Sequence, residues 1–359
     1  MKGIGHRRKT KTIFVGNVPV GGNAPLVVQS MTCTDTRDVR ATVAQIRELE
    51  EAGCELIRVA VPDAEAAEAL GTIKRRISIP LIADIHFNFR LALEAIRQGA
   101  DGIRINPGNM KRDGLRRIVA AAASAGAAIR IGINAGSLEK DVLRKHGRPT
   151  AAALVESALR SLAFFEEMGA KSLKLSIKSS DVPTMIESYR LVSKRTRWPL
   201  HLGVTEAGTL LHAAVKSSIG IGVLLAEGIG DTLRVSVTGH PCEEIRLAYE
   251  ILGALRLRRR GPEIISCPTC GRCEIDLFRL AEEVESRLAG LREPLKIALM
   301  GCVVNGPGEA SEADVGIAGG KGQGLLFRRG KAVRKVREAD FADELMREIS
   351  RMTKDEKET

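Results

Sequence analysis

The residue types best suited to carry chemistry gather near the C-terminus. Of seven cysteines, Cys33, Cys54 and Cys242 are scattered, whereas Cys267, Cys270, Cys273 and Cys302 fall within 36 positions. An odd number in a chain of this length is not a disulfide framework. The run CPTCGRC (267–273) immediately precedes a predicted helix, whose exposed N–H groups and positive end favour thiolates. Cys302 ends the next predicted strand. Thiolates spaced in this way bind either structural zinc or an iron–sulfur cluster, and the spacing alone leaves the two level. A free redox pair would leave Cys302 without a role. The neighbourhood separates the two metals: GCVVNGPGE (301–309) sets Glu309 seven residues beyond Cys302 on a loop rich in Gly and Pro. A structural zinc site has no use for such a loop.

A second constellation repeats earlier in the chain. Ile57-Arg58-Val59, Ile103-Arg104-Ile105, Ile129-Arg130-Ile131 and Leu233-Arg234-Val235 each set one arginine between apolar neighbours. In a strand that arginine points opposite to its flanks. A guanidinium sealed in a core without a partner is prohibitively costly. Several should therefore converge at an open end of the sheet; the alternative for each is an ion pair with a helix carboxylate outside it. Lys178 ends another strand in the same manner, and Asp84, His86, Asn106, Asn134, Glu206, Ser236 and Thr238 occupy comparable positions. Together they suit an anionic, hydroxylated small molecule. Planar guanidinium forks match diphosphate oxygens bidentately. No GxxxxGK[ST] or GxGxxG run occurs, so neither a P-loop nor a Rossmann site is supported.

The elements that must hold these residues follow from periodicity. Runs at 26–31, 56–61, 81–86, 102–106, 128–134, 173–178, 200–205 and 233–238 are predicted strands, each followed by a helical stretch. The apolar segment 219–229 reads as part of a helix rather than a ninth strand. Eight βα units over roughly 250 residues is the length of a TIM (β/α)8 barrel, which carries its site at the C-terminal strand ends. RLRRRGPE (256–263) reads as a linker, giving a substrate-binding barrel over 1–258 and a smaller α/β unit over 259–359. In that unit 275–289 is a predicted helix with Ile275, Phe278, Ala281, Val284 and Leu288 on one face. A strand at 295–300, a hairpin about Gly330 and a charged amphipathic helix complete it.

Composition narrows the partners. Aromatics make up only 3% of the 359 residues, so the core is Val, Ile, Leu and Ala, and single-strand nucleic-acid binding by base stacking is disfavoured. The net charge of +11 suits phosphorylated small molecules, acidic proteins or nucleic acid, and the strand-end cluster points to the first. The basic N-terminus lacks the apolar segment of a secretory signal, and no apolar run approaches the ~20 residues of a membrane span. The expectation is a cytoplasmic protein with no nucleic-acid or membrane partner.

In order along the chain, VQSMT (28–32), ADIHF (83–87), RINPGN (104–109), GINAGSLE (132–139), HLGVTEAG (201–208), GIGDTLRVSVTG (228–239), SCPTCGR (266–272) and GCVVNGPGE (301–309) carry a resemblance. They resemble the bacterial 4-hydroxy-3-methylbut-2-enyl-diphosphate synthase family of the non-mevalonate isoprenoid pathway, across essentially the whole chain. The resemblance implies reduction of 2-C-methyl-D-erythritol 2,4-cyclodiphosphate, opening the ring and expelling water, with electrons from flavodoxin or ferredoxin. It implies a [4Fe-4S] cluster on Cys267, Cys270, Cys302 and Glu309. It also implies a homodimer in which the barrel of one subunit meets the cluster domain of another. Glu206 matches the family's catalytic glutamate and is expected near the hydroxyl that leaves as water. Arg58, Arg104, Arg130 and Lys178 are expected to grip the diphosphate. Asp84, His86, Asn106 and Asn134 should orient the carbon skeleton, with Ser236 as a further substrate contact. Cys33 and Cys273 depart from the family pattern. Cys273 extends the motif to CxxCxxC and could displace Glu309 as fourth ligand, although a bystander thiol is the simpler reading.

Overall fold

The computed structural model describes residues 6–302 and 312–355, and the chain divides into two compact units between Arg258 and Arg259. The first opens with an antiparallel hairpin, β1 (Ile13–Val15) and β2 (Val18–Val20), turned through Gly16 at φ +57°. Eight parallel strands follow: β3 (Val27–Met31), β4 (Leu56–Ala60), β5 (Leu81–Ile85), β6 (Gly102–Ile105), β7 (Ala128–Asn134), β8 (Leu173–Lys178), β9 (His201–Leu202) and β10 (Thr232–Leu233). They pair in chain order, β10 pairs with β3, and a bridge between Leu175 and Leu200 joins β8 to β9. The ring is a TIM barrel. Its helices are α1 (Val39–Ala52), α2 (Ala64–Lys74), α3 (Phe89–Arg97), α4 (Arg112–Ala125), the short α5 (Lys140–His146), α6 (Ala151–Glu167), α7 (Val182–Ser193), α8 (Leu210–Ala226) and α9 (Pro241–Ala254).

Local sequence explains the alternation. Asp38, Asp63, Asn88, Thr150 and Asp181 each stand just before a helix and accept a backbone N–H from its first turn. The segment 219–229 falls largely within α8, as its helical reading expects. Strands β9 and β10 are shorter than the expected 200–205 and 233–238. After β9 the backbone turns away from the sheet direction at Glu206 and Gly208, which take positive φ (+52° and +95°).

The hairpin sits at the N-terminal end of the barrel, and Val15 packs beside Gly102, where an added Cβ would lie 3.5 Å from Val15 Cγ1. The periodicity gave no sign of this hairpin. Beside it, buried Asp231 collects Arg7 Nη2 at 3.1 Å, the Thr10 hydroxyl at 3.0 Å and the Leu200 N–H at 2.8 Å. One carboxylate thus ties the N-terminal segment to the last two barrel strands.

In the second unit β11 (Glu263–Ser266), β12 (Lys296–Met300) and β13 (Val315–Gly320) run parallel, and β14 (Gln323–Arg328) and β15 (Lys331–Arg337) continue antiparallel. Gly330, at φ +73°, turns the last hairpin. Helices α10 (Leu277–Leu288) and α11 (Phe341–Asp355) bury Leu280, Val284, Leu345 and Ile349 in one core with the sheet. The inward stripe of α10 is Leu277, Leu280, Val284 and Leu288; Phe278, expected inward, is 72% exposed. The helix begins at Leu277 under the Asp276 cap, and this turns Phe278 outward.

Replacing Asp231 with Ala strands Arg7 and a buried N–H, so a loss of about 3 kcal/mol is expected in urea unfolding of the barrel. An unchanged midpoint would remove the clamp from the account of barrel closure.

Candidate active site

The C-terminal ends of the barrel strands surround a cavity of about 340 Å³. Strand alternation delivers Arg58, Arg104, Arg130 and Lys178 to its walls, and Arg234 joins them from just beyond β10. Three of these arginines and the lysine are at least 93% buried. Asp84, on β5, accepts Arg104 Nη1 at 3.2 Å and faces Arg58 Nε at 3.4 Å. Burial would raise the Asp84 carboxyl, but Arg58, Arg104 and Arg130 outweigh it and hold it below the usual range. Arg234 instead makes a bidentate pair with Glu244 on α9 (2.7 and 3.0 Å), and Ser30 donates to the same carboxylate at 2.8 Å. The helix-carboxylate alternative therefore holds for Arg234 and fails for Arg58 and Arg104.

Arg130 has neither arrangement. It is 2% exposed, and its Nε and Nη1 have no hydrogen-bond partner. Burial and then the charges of Arg58 and Arg104 push it well below the usual arginine range. Lys178 is lowered likewise, by burial first and the surrounding arginines second. Burial also brings Arg58 down to about 10. Its Nη2 and Nε turn toward the Met31 sulfur at 2.9 and 3.2 Å. Four guanidiniums and a lysine thus face three lining carboxylates, Asp84, Glu206 and Glu244. The wall is short of negative charge, which is the signature of an anion site.

His86 accepts from Arg104 Nη1 at 3.0 Å through Nε2, which makes its ring neutral with the proton on Nδ1. Burial keeps its pKa below the usual imidazole value, with Asp84 acting against it. Asn134 lines the cavity with its amide oxygen toward Arg104 Nη2 at 3.0 Å. Gly132 makes this possible, since a Cβ there would lie 2.7 Å from Arg104 Nε. Glu206 stands exposed at the rim, and Ser236 lies on the wall. A non-glycine residue at φ +52° is strained, and strain of this kind persists where surrounding structure holds a side chain for use.

Of the residues expected to contact substrate or act in catalysis, only Asn106 lies off the cavity wall. Its Oδ1 accepts from Gly108 N at 3.2 Å and caps the 3-10 turn Pro107–Asn109. Glu244 was not anticipated; its one sequence signal is an acidic residue in the first turn after an arginine-bearing strand. Ser176 and Thr205 on the wall were missed as well.

In the second unit, Cys267 follows β11 and Cys302 follows β12, so adjacent parallel strands deliver both to one sheet end. The Gly301 N–H donates to Cys267 Sγ at 3.4 Å. The CPTC loop turns through Thr269 at φ +58° and presents Cys270 exposed. Cys273 Sγ donates to the Ile275 carbonyl at 3.3 Å and packs over Gly301, where an added Cβ would lie 2.4 Å from it. Glu309 lies outside the described residues. Among the described residues, one group of three ligand atoms lies close enough for a single ion, Glu48, His240 and Cys242 between α1 and α9, within 4.8 Å of one another. The C-terminal thiols do not form such a group. A four-iron cluster binds each thiolate at a separate iron and needs a wider set than one zinc ion does. Cys33 is exposed and tied locally to Gln45.

Fold and site together define an anion-binding TIM barrel joined to an α/β unit with thiols at one sheet end. The chain belongs to the GcpE family, matching its "GcpE TIM-barrel domain" over residues 10–249 and its "GcpE protein C-terminal domain" over 263–351. A relative from Geobacter sulfurreducens, named 4-hydroxy-3-methylbut-2-en-1-yl diphosphate synthase (flavodoxin), is 58% identical over 347 residues, 96% of this chain and 98% of its own. One of the same name from Caldanaerobacter subterraneus is 55% identical, covering 98% of this chain and 99% of its own. The family expected from the ordered motifs is the one found. Among solved structures, a dihydropteroate synthase from Stenotrophomonas maltophilia superposes with a TM-score of 0.51 at 16% identity, over 69% of this chain and 98% of its own. That likeness concerns the barrel fold alone.

Asp84→Asn should cost about 3 kcal/mol of stability, because two buried guanidiniums lose their shared counter-charge. Since its folded pKa is depressed, the Asp84 contribution is present above the unfolded value and lost as pH falls through the folded one. Inorganic pyrophosphate should restore part of the melting temperature of the variant by refilling the mouth with negative charge. Equal stability of the two proteins at pH 7 would contradict this account.

Proposed function

We propose that the chain is a flavodoxin-dependent enzyme that reduces 2-C-methyl-D-erythritol 2,4-cyclodiphosphate to 4-hydroxy-3-methylbut-2-enyl diphosphate. The observation that carries the reading is the mouth itself, where buried guanidiniums and Lys178 outnumber the carboxylates and Arg130 keeps donors unused. A cyclic diphosphate supplies compact negative charge and several acceptor oxygens to such a wall. Relatives matching nearly the full chain bear the name of this synthase.

In this reading Arg58, Arg104, Arg130 and Lys178 grip the diphosphate. Asp84 holds two of the arginines in place, and neutral His86 with Asn134 and Ser236 orients the carbon skeleton. Two electrons and one proton balance the change. The ring C–O bond to phosphate breaks, the freed phosphate oxygen keeps a negative charge, and the departing hydroxyl takes the proton to leave as water. Glu206, at the rim, holds that proton.

Side chains cannot deliver single electrons, so a bound cofactor must, and a [4Fe-4S] cluster supplies that chemistry. Cys267, Cys270 and Cys302 would hold it, with Glu309 as fourth ligand. The donor set fits: three thiols from one sheet end, and Cys273 turned onto Ile275. The net charge of +11 favours docking of an acidic electron carrier. Flavodoxin is the carrier named for the relatives, and ferredoxin is the alternative. A homodimer is part of the proposal. Leu211, Val215 and Ile219 form an exposed apolar stripe at helical spacing on α8, as an interface would require. No helix among the described residues is long and apolar enough to cross a membrane. The cytoplasm, where thiols stay reduced, is the compartment proposed.

Anaerobically purified protein should be brown, with iron and sulfide in equal amounts. Cys270→Ala should lose most of the iron, and Cys273→Ala should keep it. Glu206→Gln should retain the cluster spectrum and lose at least about 100-fold in turnover, the range of a general acid. A folded, colourless, iron-free product would overturn the cluster, and full activity in Glu206→Gln would overturn that residue's role.

A further inference from the structure

The barrel interior beneath the mouth is not sealed with hydrocarbon. Lys174 lies on the same face of β8 as Ser176 and Lys178, which line the cavity. It is 1% exposed, and its Nζ has no hydrogen-bond partner. Nearby strands carry the same condition inward. Gln29 on β3 has neither amide oxygen nor nitrogen bonded, and neither does His201 Nε2 on β9. His201 Nδ1 is engaged at 2.8 Å by Thr232. Three barrel strands thus each carry a buried polar side chain with an unbonded atom.

Two arginines and one carboxylate act on Lys174. Arg130, its register partner on β7, and Arg58 on β4 disfavour a proton on it, and Asp231 at the barrel base favours one. His201 lies in the same field, lowered by burial and then by Arg130, Lys178 and Lys174. Burial, with the arginines behind it, brings Lys174 down to about 7.

We propose that Lys174 is a proton-uptake site coupled to the mouth: when a diphosphate binds there, a proton from solvent enters onto Lys174 Nζ. This deepens the functional reading and rests on it. The cause is the sign of the field. The bound anion offsets Arg58 and Arg130, the two groups that repel the proton. At about 10 Å and an effective dielectric near 20, each negative charge raises an amine's pKa by about 1. A dianion is enough to convert Lys174 from largely neutral to largely charged at pH 8. The anion's affinity then falls as pH rises above neutrality, because the proton must be taken from scarcer supply. Lys174 touches no reacting atom in this scheme; it sets how much positive charge the mouth can present.

The test is calorimetric titration of the anaerobic holoenzyme with 2-C-methyl-D-erythritol 2,4-cyclodiphosphate at pH 8, in two buffers of different ionisation enthalpy. Wild type should take up protons on binding. Lys174→Met, which replaces a buried amine with an apolar chain of similar length, should take up about 0.5–1 fewer. Lys174→Arg should show the same loss, because a guanidinium keeps its proton throughout, while retaining the affinity that the Met variant loses. The arginine variant also covers the case in which the methionine variant does not fold, and the reverse. Binding with the wild-type proton count in a folded variant would overturn this inference and leave the functional reading standing. Failure of the wild-type holoenzyme to bind the cyclodiphosphate would sink that reading, and this inference with it.

Discussion

Mutual repulsion among arginines inside one barrel is the constraint to which the rest of the first unit is fitted. Arg58, Arg104 and Arg130 come from strands that fold cannot separate, and Asp84 is the carboxylate set among them. The accommodations are visible at each neighbour. Gly132 gives up a side chain so that Arg104 can lie flat, Met31 offers a soft sulfur to Arg58, and Glu244 draws Arg234 toward α9. Arg130 is left with unused donors. A barrel selected for stability alone would fill these positions with Val and Ile. This one keeps the repulsion, and an arriving anion relieves it.

Much of this was legible in the sequence. The alternation of apolar flanks and arginine placed Arg58, Arg104 and Arg130 inward, because a strand leaves no other direction once its opposite face packs on helices. Helix caps such as Asp63 and Asp181 likewise follow from residue type. What was not legible depends on long-range geometry. Nothing local in Glu244 says that it will meet Arg234. Asn106 is the exception, a local miss: its side chain caps the turn that Pro107 and Gly108 make directly after it. The short β9 and β10 were overextended because the apolar alternation of 200–205 and 233–238 continues after the ladder pairing ends at Leu202 and Leu233. Phe278 failed for a register reason. The 3.6-residue period allows two adjacent stripes on α10, and the cap chooses between them.

The second unit separates its cysteines by backbone direction rather than by spacing. The spacing of CPTCGRC leaves Cys273 open as a fourth ligand or a bystander thiol; in the fold its Sγ donates to the Ile275 carbonyl and fills the space that Gly301 leaves. A glycine next to Cys302 therefore serves two purposes. Its N–H donates to Cys267 Sγ, and its missing side chain leaves room for the Cys273 thiol.

The Asp231 clamp has a consequence for how the chain is made. Arg7 and its carboxylate partner are 224 residues apart. At ribosomal speeds of 5–20 residues per second, roughly ten to forty-five seconds separate their synthesis. Through that interval Arg7 lacks its native counter-charge, while strands β3 to β8 are already emerging and able to pair. Ring closure is thus reserved for the end of barrel synthesis. A nascent chain stalled before residue 231 carries an open sheet whose edge strand can pair with another copy, so this enzyme's exposure to misassembly is set by the pace of its own translation.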